Sequence, residues 1–147
     1  MNLTTVSVAM AVCNGERFLA MQLDSILSQL DKNDELIISY DSSKDRTFEI
    51  ACGYAERDSR IVLARNSNPG IVSNFNNALS LCRKDSVFIS DQDDLWLPGK
   101  REVMLSALNG SGADLAIHNF VQIDSCGQII SAPQFETHHI GNCLLRN

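Results

Sequence analysis

Three carboxylates crowd one short stretch of this chain: Asp91, Asp93 and Asp94 follow the apolar run Val87-Phe88-Ile89, with Gln92 between the first two. Along an extended backbone successive side chains point to opposite sides, which predicts that Asp91 and Asp93 share a side and Gln92 points away. Two like charges that close disfavour each other unless a cation lies between them. Hard cations such as Mg²⁺ take oxygen ligands, commonly one or two carboxylates completed by substrate phosphates. The chemistry this pattern suggests is therefore a divalent cation held against a phosphorylated ligand. Taken alone, the same stretch also fits a solvated acidic loop that caps the next helix. An EF-hand does not fit: Asp91, Asp93 and Glu102 fall at loop positions 1, 3 and 12, but Leu95 and Trp96 stand where an oxygen ligand and a glycine are needed.

The elements that would position these carboxylates are legible as apolar periodicity. Short β-branched or apolar runs at 6–12, 35–40, 61–64, 86–90 and 114–118 alternate with stretches of helical period. That order predicts an α/β fold, a mostly parallel sheet with flanking helices, in the order β-α-β-α-β-α-β-α-β. Leu19, Leu23, Ile26, Leu27 and Leu30 make one apolar helix face. Ser42-Ser43-Lys44-Asp45 fits a capping box before a helix carrying Phe48, Ala51, Cys52 and Ala55. A third helix follows Asn68-Pro69-Gly70 with the stripe Ile71, Phe75, Ala78, Leu79 and Cys82, and a fourth starts at Leu97-Pro98. Beyond residue 118 short strands are expected, with Ser125-Cys126-Gly127 turning a hairpin between 121–123 and 128–130. With no repeat, linker or low-complexity tract, the 147 residues read as one domain.

In open α/β sheets ligands bind outside the carboxyl ends of strands, which directs attention to Cys13-Asn14-Gly15, Asp41-Ser42-Ser43 and Asp91-Gln92-Asp93-Asp94. Neither G-x-G-x-x-G nor G-x-x-x-x-G-K-[ST] is present, so a dinucleotide fingerprint and a P-loop are excluded. The net charge of −6 argues against nucleic acid as a partner, because phosphate backbones reward a basic face. Five widely spaced cysteines, Cys13, Cys52, Cys82, Cys126 and Cys143, show no zinc spacing and an odd count, and read as reduced thiols of a cytoplasmic chain. The apolar start ending in Met10-Ala11-Val12-Cys13 invites a lipoprotein-signal reading. It is rejected because no Lys or Arg precedes it and Asn14-Gly15 closes it as a turn.

Together, Val6-Ser7-Val8-Ala9-Met10-Ala11-Val12-Cys13-Asn14-Gly15, Leu23-Asp24-Ser25-Ile26-Leu27-Ser28-Gln29, Asp41-Ser42-Ser43-Lys44-Asp45-Arg46-Thr47 and Phe88-Ile89-Ser90-Asp91-Gln92-Asp93-Asp94-Leu95-Trp96-Leu97-Pro98 carry a resemblance across nearly the whole chain. It is to glycosyltransferase family 2, whose catalytic domains adopt the GT-A, or nucleotide-diphospho-sugar transferase, fold. The D-Q-D-D-x-W variant resembles bacterial transferases of O-antigen, capsule and other surface polysaccharides, including rhamnosyltransferase-like members. The resemblance implies that Ala11, Cys13 and Asn14 line a nucleoside pocket and that Asp41 hydrogen-bonds the base. It makes Asp93 the direct ligand of a divalent cation, Mn²⁺ or Mg²⁺, with Asp91 facing the ribose or the metal shell. Two positions depart from the family pattern. Tyr40-Asp41-Ser42 stands where two acidic residues and a glycine are usual, and Cys13 replaces a common aromatic.

The implied partners are a nucleoside diphosphate sugar and a saccharide or lipid-linked acceptor, the latter at the cytoplasmic face of the membrane. The implied reaction is an inverting transfer, whose general base would come from a later acidic motif. Glu102, Asp114, Asp124 and Glu136 do not sit in a copy of that motif, so the base is expected beyond Asn147 and the chain is read as C-terminally truncated. A sugar-nucleotidyltransferase would need a glycine-rich basic N-terminal loop, which is absent; a binding-only module stays open. Trp96 is expected in the core rather than against a sugar, and Asn74, Asn76 and Asn77 as decoration on a helix whose start at Gly70 could approach donor phosphates. His118 faces either the donor sugar or a structural partner, and His138-His139 has no assigned role.

Overall fold

The computed structural model describes residues 4–124, 127–131 and 133. Four strands and four helices alternate: β1 (Val6–Val12), α1 (Leu19–Leu27), β2 (Glu35–Tyr40), α2 (Thr47–Ala55), β3 (Ile61–Arg65), α3 (Ile71–Leu81), β4 (Ser86–Ser90) and α4 (Lys100–Ser111). The chain forms two compact units that divide between Pro98 and Gly99.

In the first unit all strand pairs are parallel, in the order β3-β2-β1-β4, with Ala9 beside Ile37 and Ile89 and with Ile38 beside Leu63. Central parallel strands are covered on both faces and so become uniformly apolar. Accordingly Val6, Val8, Ala9, Met10 and Val12 of β1 and Leu36, Ile37 and Ile38 of β2 are almost fully buried. Right-handed crossovers send α1 and α2 to one face of the sheet and α3 to the other. On α3's face Ala78 meets Ala9 and Ile37, with Leu79, Leu81 and Cys82 packed around them. α1 buries Leu19, Leu23 and Ile26, the expected apolar face, and with them Gln22.

Several local expectations change. Residues 114–118 are not a strand: Leu115 makes one isolated bridge, and among the described residues no ladder flanks this apolar run to hold it extended. The α2 start is fastened by Asp45, whose Oδ1 accepts the Thr47 N–H (3.1 Å) and hydroxyl, rather than by a Ser42 box. α4 starts at Lys100, two residues past Pro98, because Gly99 takes a left-handed φ of 82° that the helix cannot include. Ile71 is 70% exposed; the third-helix stripe buries Asn74 in its place. In the second unit the expected hairpin is reduced to one antiparallel bridge, Ile123 with Ile129, closed by Ile130 N–H donating to Gln122 O (2.9 Å). Ser125 and Cys126 at its tip lie outside the described residues, as do Cys143 and His138-His139. Among the described residues no helix is long and apolar enough to cross a membrane. Cys13, Cys52 and Cys82 are free thiols.

Candidate functional site

Because every strand of the sheet runs the same way, the loops after β1, β2, β3 and β4 gather at one edge. The order β3-β2-β1-β4 reverses between β1 and β4, the switch point at which such sheets open a crevice. A cleft of about 570 Å³ lies there. Ala11 and Cys13 line it from β1, Asp41 from β2, Gly70, Asn74 and Phe75 from α3, and Asp91, Gln92 and Asp93 from the end of β4. Five of the six residues expected at the site thus share one cleft. Asn14, the sixth, is turned aside: in a left-handed conformation (φ 50°), it uses its side-chain oxygen to accept the Lys44 N–H at 2.8 Å.

That contact belongs to a clasp between the β1–α1 and β2–α2 loops. Asn14 N–H donates to Ser43 Oγ (3.1 Å), Gly15 N–H to Thr47 Oγ1 (2.7 Å), Glu16 N–H to Asp45 Oδ2 (3.1 Å) and Arg46 N–H to Glu16 Oε2 (2.7 Å). Short polar side chains here satisfy backbone donors that neither sheet nor helix can reach. Tyr40, where the family pattern has a carboxylate, instead packs its ring against Phe48 at 4.7 Å.

Asp41 is buried at the floor of the cleft. Its backbone N–H continues the β1 pairing by donating to Val12 O (3.0 Å). Its carboxylate accepts from Asn66 Nδ2 (2.7 Å) and from the Gly70 N–H (2.9 Å). Gly70 has φ 130°, a conformation open only to glycine, and it begins α3. A side-chain anion therefore already sits at that helix start, where the sequence suggested donor phosphates.

The acidic turn after β4 is held by backbone contacts at three places. Gln22, buried on α1, donates from Nε2 to Ser90 Oγ (2.7 Å) and to Asp91 O (3.0 Å). Gln92 turns its amide onto Cys13, with Oε1 accepting the Cys13 N–H (2.9 Å) and Nε2 donating to Cys13 O (3.0 Å). Trp96 N–H donates to Ser25 Oγ (3.1 Å), and Gln29 Nε2 reaches Trp96 O (3.4 Å). Trp96 itself is buried as expected, its ring 5.2 Å from that of Phe88. Strand alternation does not produce this arrangement, since β4 ends at Ser90 and Gln92-Asp93 form a turn. Burial, then the nearby carboxylates of Asp94 and Asp93, push the Asp91 carboxyl up from its usual 3.8.

Residues that sequence reasoning missed are uncharged and far from their partners. Gln22 stands outside the apolar stripe Leu19, Leu23, Ile26, Leu27 and Leu30, and nothing in the sequence marks it. Asn74 and Asn77 looked like helix decoration. Asn74 is instead buried and donates to Val12 O (3.2 Å), its side-chain oxygen unpaired, while Asn77 donates to Ser39 Oγ (2.8 Å) and Arg65 O (3.3 Å). Only Asn76 of the three is a surface residue. The one available signal was the clustering of amides on helices beside strand ends. His118, in the second unit, is exposed and has Nδ1 2.8 Å from Asn119 O.

A parallel sheet with an acidic turn and a cleft at its switch point defines an open α/β domain with a crevice where such sheets take ligands. Comparison with known proteins specifies it: the chain belongs to glycosyl transferase family 2, whose model matches residues 7–145. It is 37% identical over 127 residues to EpsE, a protein of Bacillus subtilis (strain 168) assigned as a glycosyltransferase, covering 85% of this chain and 43% of that one. To glycosyltransferase GlyA of Streptococcus pneumoniae serotype 4 it is 28% identical over 137 residues, covering 93% of this chain and 19% of that one. The chain thus spans less than half the length of these relatives. Among solved structures, the fold is similar to S. aureus TarS in complex with UDP-GlcNAc (TM-score 0.63, 19% identity, 76% of this chain and 33% of that one). It is also similar to the Pyrobaculum calidifontis mannosyltransferase PcManGT in complex with GDP-Man and Mn²⁺ (TM-score 0.62, 22% identity, 81% of this chain and 35% of that one).

Proposed function

We propose that this domain holds a nucleoside diphosphate sugar at the β1–β4 switch point, for transfer of its glycosyl group to the hydroxyl of a saccharide or lipid-linked acceptor. The observation that carries the reading is the cleft's two-sided chemistry: a buried carboxylate, Asp41, beside Cys13 on one side, and the carboxylates of Asp91 and Asp93 on the other. The nucleoside belongs on the first side. A carboxylate has about four acceptor positions; two of Asp41's serve Asn66 and Gly70, and the remainder would meet a donor N–H of the base. Ala11 and Cys13 supply the wall, and Asn14 serves the pocket through the loop it ties to Lys44.

The diphosphate belongs on the second side, with a divalent cation, Mn²⁺ or Mg²⁺. The donor set suits a hard cation, because it offers only carboxylate oxygens and its like charges are otherwise uncompensated. Among the described residues no three His, Cys, Asp or Glu side chains group into a cation site, so Asp93 and Asp91 would be completed by phosphate oxygens. When bound, the cation supplies Lewis-acid stabilisation of the departing diphosphate. Gln22 and Gln92 keep the turn that carries both carboxylates in place. An inverting reaction, a role in bacterial surface polysaccharide, and work at the cytoplasmic membrane face belong to the same proposal. They are supported by the D-Q-D-D-x-W sequence and by the family of the relatives. Titration calorimetry with UDP-, GDP- and dTDP-sugars, each with Mn²⁺ and with EDTA, tests the reading. Cation-dependent binding of one nucleotide class is expected; equal affinity in EDTA would overturn it.

A further inference from the structure

We infer that Gln92 is a positioning residue that sets the cation-facing turn in fixed register with the end of β1, so that the two sides of the cleft act as one unit. The inference rests on the proposed donor site. The middle residue of Asp91-Gln92-Asp93 has its side chain paired to one backbone residue through both of its amide atoms. The pairing fixes the amide's orientation, since its oxygen must face the Cys13 N–H and its nitrogen the Cys13 carbonyl. Cys13 lines the cleft directly after β1 ends, so this pair spans the switch point where β1 and β4 part.

A second observation concerns Gly15, which is buried and is not among the positive-φ glycines. A Cβ there would lie 2.4 Å from Gln92 Oε1 and 2.6 Å from its Cδ. Glycine at this position is explained by the space the Gln92 amide needs rather than by backbone conformation. Gly15→Ala is therefore a way to dislodge Gln92 without touching Cys13, Asp41, Asp91 or Asp93.

The test measures the gain in nucleoside diphosphate affinity on adding Mn²⁺ to the full chain, for the parent, Gln92→Met, Gln92→Ala, Gly15→Ala and the Gly15→Ala/Gln92→Ala double variant. Gln92→Met keeps the length and bulk while removing both hydrogen bonds. The cation-dependent gain is expected to fall about tenfold in each single variant, within the range of coupling between sites. Affinity for the nucleoside alone is expected to fall by less than the cation-dependent gain, because Asp41 keeps its own partners. Gly15→Ala should add nothing in the Gln92→Ala background. Amide exchange at Cys13 and at Asp93-Asp94 should quicken in every Gln92 variant, cation or no cation. A parent gain that survives in Gln92→Met, or additive effects of Gly15→Ala and Gln92→Ala, overturns the inference. A parent with no cation-dependent gain overturns the donor-site reading; unchanged Asp93-Asp94 exchange in Gln92→Met then overturns the positioning role separately.

Discussion

Replacing Asp41 by alanine would remove one carboxylate that serves two donors on different elements, and the cost can be worked from those donors. A hydrogen bond to a charged group contributes about 1.5–3 kcal/mol, so the gross loss is about 3–6 kcal/mol. The Gly70 N–H lies at an exposed residue and regains water. Asn66 is buried, yet its Nδ2 also donates to Asn68 O (2.6 Å) and to Ser73 Oγ (3.2 Å), so it does not become an orphan. Those recoveries bring the expected net loss to about 2–3 kcal/mol, or roughly 5–10 °C in Tm for a chain of this size. Asp41→Asn keeps an acceptor for one of the two donors and should lose about half as much. Urea unfolding followed by circular dichroism measures both variants, and a shifted midpoint at constant m-value is the expected signature. At a temperature where Asp41→Ala stays folded, nucleotide affinity should also weaken by about 1.5–3 kcal/mol if the carboxylate meets the base. An Asp41→Ala midpoint equal to the parent's would refute the account of Asp41 as the tie between β2 and the α3 start. Unchanged nucleotide affinity would refute only its contact with the base.

Asp93→Ala should abolish cation-dependent nucleotide binding and leave the Tm within about 2 °C, since Asp93 is exposed; calorimetry beside a thermal melt checks both parts. Gln22→Ala strips Asp91 O and Ser90 Oγ of a buried donor and is expected to cost about 1–3 kcal/mol by urea unfolding, against no measurable loss if α1 does not hold the acidic turn. The Asp58 carboxyl is held below its usual 3.8, first by its hydrogen bonds from Arg60. Its folded value lies below its unfolded one, so its contribution is complete above about pH 4 and is lost as pH falls through the lower folded value. Asp58→Asn should accordingly flatten the acid limb of a stability-against-pH curve; superimposable acid limbs would mean that the Arg60 pair adds no net stability.

The sheet was legible because burial on both faces leaves an unambiguous mark: between Glu35 and Tyr40 at the ends of β2, and throughout β1, nothing polar except Ser7 and Ser39 interrupts the central strands. Residues 114–118 carry a similar apolar run and still form no strand, since a strand exists only with a partner and no local signal reports one. The cleft was legible wherever a strand end delivered a side chain directly, as at Ala11, Cys13, Asp41 and Asp91. It was illegible where long-range contacts decide. Nothing near Gln22 in sequence reveals that its partners are 68 and 69 residues away, and nothing near Asn74 reveals Val12. Asn14 shows the opposite error. Its position in the first loop is as expected, but its left-handed backbone carries the side chain to Lys44 instead of into the cleft.

The acidic turn is gripped at the carbonyl of Asp91, at the N–H and carbonyl of Trp96, and across to Cys13, and apart from Ser90 Oγ and the Gln92 amide the atoms gripped on it are main-chain atoms. Main-chain atoms are the same whatever residue bears them. Asp94 and Leu95 can therefore be exchanged for other residues with little effect on the path of the turn, provided that Gln22, Ser25, Gln29 and Gln92 remain. Such a scaffold separates two inheritances: where the carboxylates stand is written in α1 and Gln92, while the side chains of residues 94 and 95 take no part in holding the turn. Residues 94 and 95 are thus a place where sequence can change while the shape of the turn is kept.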